Sequence, residues 1–325
     1  MRDLRALPFY TVRSEAADGS AGVGAVGAGN YFDFSAAADD FEGIYVLYFN
    51  RTALGKERTS ALYAAALGGG LTWEAFFRLC SELRVEQPAA KLIAFGSAGS
   101  GEGTDAGFAA DCAAISAGYD LLTPADGKNP PSVALTDAQC ASLTELIGSL
   151  AGVGIQSDPD AVNTLFAAGK APFYLGTLAE MAGLYDEKGV EWGLLPLPTG
   201  DGLAVNVLAR RAPVICVSAG NARVEQTGLM LSAFAAASEG GWLRGEYARA
   251  VSEKYLRDNS SCLTLLDVLE RPSYRDPAYL FYPVCEGLES ATFGALRACL
   301  LDGSPIGPAV TAARAAAEEN LKSIK

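Results

Sequence analysis

Leu165 to Pro198, LFAAGKAPFYLGTLAEMAGLYDEKGVEWGLLPLP, reads as helix, strand, turn, helix and strand in one compact run. Asp158 can cap and Pro159 can start the first helix, which sets Val162, Leu165 and Phe166 on one face and stops at Gly169. A short apolar strand over Ala171–Leu175 follows. Gly176 permits a tight turn, and Thr177 with Glu180 three residues on forms a capping box for a second helix, with Leu178, Met181 and Tyr185 facing inward. The strand thereby ends at a helix N-terminus, where free N–H groups and the positive dipole end can hold a polar or anionic group without a charged side chain. An ordinary core turn between strand and helix has the same pattern, so the run alone leaves both readings open.

The surrounding chain has the same α/β character. Trp73–Leu83 reads as a helix with Phe76, Phe77, Cys80 and Leu83 inward, and Thr136 with Gln139 forms a capping box for a helix carrying Leu143, Leu146, Ile147 and Leu150. Ala89–Phe95, Val190–Leu195, Leu203–Ala209 and Val214–Val217 read as further strands. The last third is almost all helical in period, over Val224–Ala237, Leu243–Leu256, Ser261–Glu270, Ser290–Leu301 and Pro308–Ile324. No solenoid-length repeat is present.

Composition narrows the function. Half of the 325 residues are hydrophobic and 19% are charged, enough for one large or two ordinary cores. A net charge of −13 with no basic stripe argues against a nucleic-acid surface. No apolar stretch reaches the ~18 residues of a membrane helix. With no histidine in the sequence, Ser-His-Asp and Cys-His nucleophiles, HExxH metal sites and histidine bases are excluded together. Carboxylates and lysine remain open to catalysis, but Asp39-Asp40 and Glu318-Glu319 are adjacent and diverge around any helix, which suits a solvated face better than an acid/base pair. The seven cysteines, Cys80, Cys112, Cys140, Cys216, Cys262, Cys285 and Cys299, lack CxxC spacing and read as small apolar residues, without a disulfide framework or a metal. Gly96–Gly103 (GSAGSGEG) has neither the Gly-Lys-Ser/Thr ending of a phosphate loop nor a G-x-G-x-x-G entering a helix, so it reads as a flexible loop. Gly19–Gly29 reads as a mobile connection. No cofactor is implied.

Several segments, taken in order, resemble the extracellular solute-binding proteins of carbohydrate-type ABC transporters. Phe166, Gly169, Lys170, Phe173, Glu191, Gly193, Leu194, Pro196 and Pro198 occupy the places of that family's F-x-x-G-K, strand aromatic and (D/E)-x-G-(I/L)-x-P-x-P. Tyr48-Phe49-Asn50-Arg51 is similar to its Y-F-N-K before a loop, and Gly69–Phe76 (GGLTWEAF) to its G-x-W-T-W-(D/E)-x-(F/L). Lys254-Tyr255-Leu256-Arg257-Asp258, then Leu265-Leu266-Asp267, then Tyr274 follow the family's late order. The similarity runs from about Tyr31 to the C-terminus.

The resemblance implies a two-lobed periplasmic-binding-protein-like fold of type II with a helix-rich C-terminal part. The expected division is an irregular glycine-rich segment over 1–30, a first lobe region over 31–150 and a second lobe over 151–325, with the chain crossing between lobes. It also implies non-catalytic binding of a small solute, a carbohydrate above all, in an interlobe cleft, for delivery to an ABC transporter permease by an extracytoplasmic, membrane-associated monomer. Met1–Tyr10 (MRDLRALPFY) lacks the apolar core of a secretory signal, and the family's leading strand and helix have no counterpart ahead of Tyr31. The expectation is an N-terminally incomplete member with part of the first lobe missing. Sugar C–H faces suit aromatic planes and sugar hydroxyls need paired donors and acceptors, which selects Tyr31, Trp73, Tyr174 and Tyr282, with Gly176 at the strand end, as ligand-binding candidates. Two alternatives stay open: a sensory, receptor-linked module of the same fold, and an enzyme that would need a closely packed pair of carboxylates or a lysine in a cleft.

Overall fold

Tyr45–Asn50, YVLYFN, has no polar alternation, and the reason is that both its faces are covered. The structure is a computed structural model that describes residues 41–88, 92–95, 106–119, 122–123, 132–133, 135–153, 164–186, 189–200, 206–207, 221–239, 242–271, 273–274, 294–296, 298–308, 310–312 and 315. The elements in chain order are β1 Tyr45–Asn50, α1 Arg51–Leu67, α2 Trp73–Glu86, β2 Ile93–Phe95, α3 Ala106–Ser116, β3 Leu122–Thr123, β4 Ser132–Val133 and α4 Asp137–Gly152, followed by β5 Phe173–Thr177, α5 Met181–Asp186, β6 Trp192–Pro196, β7 Asn206–Val207, α6 Val224–Glu239, α7 Trp242–Lys254, α8 Asn259–Glu270 and β8 Ser273–Tyr274. Single 3₁₀ turns stand at Phe41–Gly43 and Leu178–Glu180.

β1 is an interior strand of a sheet ordered β2-β5-β1-β6. It runs antiparallel to β5, with Tyr48 opposite Tyr174, and antiparallel to β6, with Phe49 opposite Gly193, while β2 and β5 are parallel. Period-two side-chain alternation then sends successive residues to opposite cores. Tyr45, Leu47, Phe49, Phe173, Leu175 and Leu195 pack on one face against α1, α2, α3 and α4. Val46, Tyr48, Tyr174 and Leu194 pack on the other against α5, α7 and α8. The result is a three-layer α/β arrangement.

Local signals account for several boundaries. Asn50 ends β1 and caps α1, its Oδ1 accepting from Ala53 N–H at 2.9 Å while its Nδ2 donates to Phe166 O at 2.8 Å. The helix therefore begins directly at Arg51, where the sequence reading expected a loop. The Thr136 and Gln139 capping box is formed. The helical turn over 164–167 ends as expected, with Gly169 at φ 69° and N–H groups of Gly169 and Lys170 donating to Phe166 O and Leu165 O. Asp158, Pro159, Val162, Val214–Val217 and the stretches Gly19–Gly29 and Gly96–Gly103 lie outside the described residues. Of Leu203–Ala209, the described part is the short strand Asn206–Val207. Cys80, Cys112, Cys140 and Cys299 are buried as reduced thiols in apolar surroundings, and burial pushes the Cys80 thiol up to about 12.

Candidate functional site

The register brings the carboxyl ends of β2, β5 and β6 to one edge of the sheet, beside the start of β1. In open α/β sheets, ligands bind in the crevice beyond such an edge, because chain turns there expose backbone donors and acceptors. Two described segments leave it. One is the turn after β5, Thr177–Glu180; the other is Leu197–Gly200 after β6.

The turn after β5 is closed by its own side chains. Tyr48 donates to Thr177 O at 2.7 Å, and Leu178 N–H donates to Ile44 O at 2.9 Å. The Glu180 carboxyl folds back over Gly176, where its Oε2 accepts from Thr177 N–H at 3.1 Å. A Cβ on Gly176 would run into that oxygen, so the glycine is required for space. It has no left-handed φ and lies within β5, which corrects the expectation of a turn glycine. The carboxyl also hydrogen-bonds the Tyr174 hydroxyl. Burial raises the Glu180 carboxyl to about 8, against the pull of those two hydrogen bonds. Of the N–H groups expected to hold a polar or anionic group, those of Thr177 and Leu178 are thus occupied from within the chain.

The segment after β6 is tied to α2 and α3. Trp73 N–H donates to Thr199 O at 3.1 Å, Thr199 N–H donates to Leu71 O at 3.0 Å, and Gly200 N–H donates to Ser116 O at 3.1 Å. Thr72 caps α2 through Ala75 N–H, and the Trp73 indole N–H donates to Ser116 Oγ at 3.0 Å. Gly200 approaches the backbone of Ala117 too closely for any Cβ.

The structure brings Trp73, Tyr174 and Gly176 to the same sheet but on opposite faces. Trp73 is 5% exposed in the core with α2, edge-on to Phe76. Tyr174 is 3% exposed in the other core, stacked on Tyr48 with ring centroids 5.7 Å apart. Desolvation pushes the Tyr48 and Tyr174 hydroxyls up, so both stay neutral donors. Neither buried ring offers a face on which a sugar can stack, because aromatic neighbours and sheet already cover it. Tyr31 and Tyr282 lie outside the described residues. Tyr185, expected to face inward, is instead 37% exposed, edge-on to Tyr255 and under the Arg257 guanidinium at 4.9 Å. The sequence reading missed Ser116, Thr199 and Gly200; no motif marks them, since their partners lie far from them in the chain and are mostly backbone groups.

The raised carboxyl is not half of an acid pair. Its partners are Tyr174 and Thr177, and among the described residues no second carboxyl contributes to its shift. The paired-acid arrangement that the enzyme reading needs is not built around it.

A central sheet with helices on both faces, and segments gathered beyond its carboxyl ends, is the α/β architecture of two-lobed periplasmic-binding-protein-like folds. Solved structures that share it with this chain include three binding proteins. The sugar-binding protein MalE from Xanthomonas citri matches with a TM-score of 0.58 and 14% identity over 86% of this chain and 69% of its own. The cyclic alpha-maltosyl-1,6-maltose binding protein from Arthrobacter globiformis matches at 0.53 and 15% identity over 86% and 70% of the two chains. The GacH receptor of Streptomyces glaucescens, solved unliganded and with acarbose, matches at 0.52 and 16% identity over 100% and 80%. No family model matches the sequence, and no curated protein does.

Proposed function

We propose that this protein is a non-catalytic solute-binding protein that takes a small neutral carbohydrate at the carboxyl edge of its sheet and delivers it to an ABC transporter permease from an extracytoplasmic, membrane-associated position. The observation that carries this reading is the fold itself, shared over most of the chain with a maltosaccharide-binding protein, a sugar-binding protein and an acarbose-binding receptor. The ordered segments from Tyr48-Phe49-Asn50-Arg51 to Tyr274 support it, since they fall on the elements that build this edge and its support. Among the described residues, no helix is long and apolar enough to cross a membrane.

In this reading Tyr31 and Tyr282 are the rings that stack on the sugar. Trp73, Tyr174 and Gly176 shape the wall from behind, where their burial fixes the two segments that leave the edge. Electrostatics disfavour an anionic ligand, because the net charge of −13 opposes the approach of anions.

Thermal-shift titration of the chain with neutral mono- and oligosaccharides tests this. A ligand at about 100 times its Kd adds about 2.7 kcal/mol to stability, a rise in Tm of several degrees. The expected result is a saturable rise with at least one sugar of the panel. A cooperative melting transition that no sugar moves would overturn the carbohydrate reading.

A further inference from the structure

The turn after β5 carries an arrangement that solute binding does not call for. Glu180 stands on the last residue of the 3₁₀ turn Leu178–Glu180, yet its carboxyl is turned back into the sheet. Oε2 accepts from Thr177 N–H at 3.1 Å, whereas Oε1 is buried without a hydrogen-bond partner. A carboxylate leaves both oxygens in need of donors or water, so one shielded and unpartnered oxygen favours the neutral acid. The space it fills exists only because residue 176 has no Cβ.

We propose that Glu180 is a proton-operated latch on this turn: as the neutral acid it folds over Gly176 and fastens Thr177, and on ionisation it swings to water and releases the turn. The charged form is drawn outward because burial outweighs the bonds from Tyr174 and Thr177 and no cation contributes to offset it. The titratable groups that interact with it are Tyr174 from β5 and Tyr48 from β1, neither of them cationic. No Lys or Arg contributes to its shift among the described residues. Release would free Thr177 N–H and uncover the backbone of Gly176 at the edge where the parallel strands end, while Tyr48 and Leu178 keep the flanking bonds to Thr177 O and Ile44 O. The latch thereby couples the shape of this edge to pH in the mildly alkaline range. It stands whether or not the occupant of the edge is a sugar.

The test is an NMR titration of the full chain from pH 5 to pH 10, following the Glu180 carboxyl carbon and the Thr177 amide. The expected result is a Glu180 midpoint near 8, where burial places it, with the Thr177 amide moving at the same midpoint and staying still in Glu180→Gln. A Glu180 midpoint in the ordinary carboxylate range overturns the proposal. So does a Glu180 that titrates near 8 while Thr177 does not respond, since that describes a buried acid with no moving turn. Both of these outcomes are read from the unsubstituted chain and do not depend on the variant folding.

Discussion

At the scale of single residues, two glycines in ordinary backbone conformations do the most. Gly193 sits in β6 opposite Phe49, and a Cβ there would meet the Phe49 ring and the Tyr63 hydroxyl. Phe49 is fully buried and cannot yield, so Gly193→Ala is expected to cost about 1–3 kcal/mol in urea unfolding through overpacking. At Gly176 the obstacle is the end of a flexible side chain. Gly176→Ala is expected to expel the Glu180 carboxyl and to cost about 1 kcal/mol, the worth of the lost cap. In a Glu180→Ala background that cost should fall to what the Tyr174 ring, 3.1 Å from the new Cβ, still imposes, and a double-mutant cycle with no coupling would refute the account. The sequence marked both positions as glycine within a familiar pattern, but their reason lies in neighbours that sequence spacing does not reveal: Phe49 and Tyr63 are more than a hundred residues from Gly193.

At the scale of elements, α8 is held by its N-cap. Asp258 Oδ1 accepts from Ser261 N–H at 2.9 Å, and its Oδ2 accepts from Ser261 Oγ at 2.8 Å, Tyr63 OH at 3.2 Å and Arg51 at 3.4 Å. Ser261 Oγ in turn accepts from Leu194 N–H at 3.2 Å, which ties α8 to β6. Asp258→Ala leaves the buried Ser261 and the Tyr63 hydroxyl short of an acceptor and is expected to cost about 2–4 kcal/mol by urea unfolding. Asp258→Asn retains an oxygen for the cap and should cost only about 1 kcal/mol, because the ion pair with Arg51 is partly exposed and worth little. Equal losses in the two variants would show that charge, and not hydrogen bonding, holds the helix.

These elements also show what the sequence could carry. The helices α2, α4 and α8 were legible by their amphipathic period, and α4 by its Thr136 capping box as well; the caps Thr72 and Asp258 emerged only in the structure. β1 was harder, because a strand buried on both faces has no alternation to read. The helix α1 was missed after it, although Asn50 is a strong cap, because Gly55 at φ 77° interrupts its first turns. At the candidate site, Thr177 and Glu180 were legible as a capping pair, but the placement of Trp73 and Tyr174 in separate cores was not, since it depends on which face of a shared sheet each element covers.

At the scale of the whole molecule, both cores close on the same sheet, so a proton gained at its edge registers in global stability. The unfolded chain releases the Glu180 proton near the ordinary value of 4.5, whereas the folded chain holds it to about 8. Between those values the folded state binds more protons than the unfolded state, so raising the pH removes stability there; below 4.5 the contribution is complete, and above 8 no more is lost. The net charge of −13 adds its own dependence on pH, which a variant that differs only at Glu180 subtracts. The Tm of the native chain minus that of Glu180→Gln is therefore expected to fall from pH 5 to pH 8 and then to level. A difference that stays constant across this range would mean that Glu180 ionises alike in both states, and that the carboxyl over Gly176 is held as a charge.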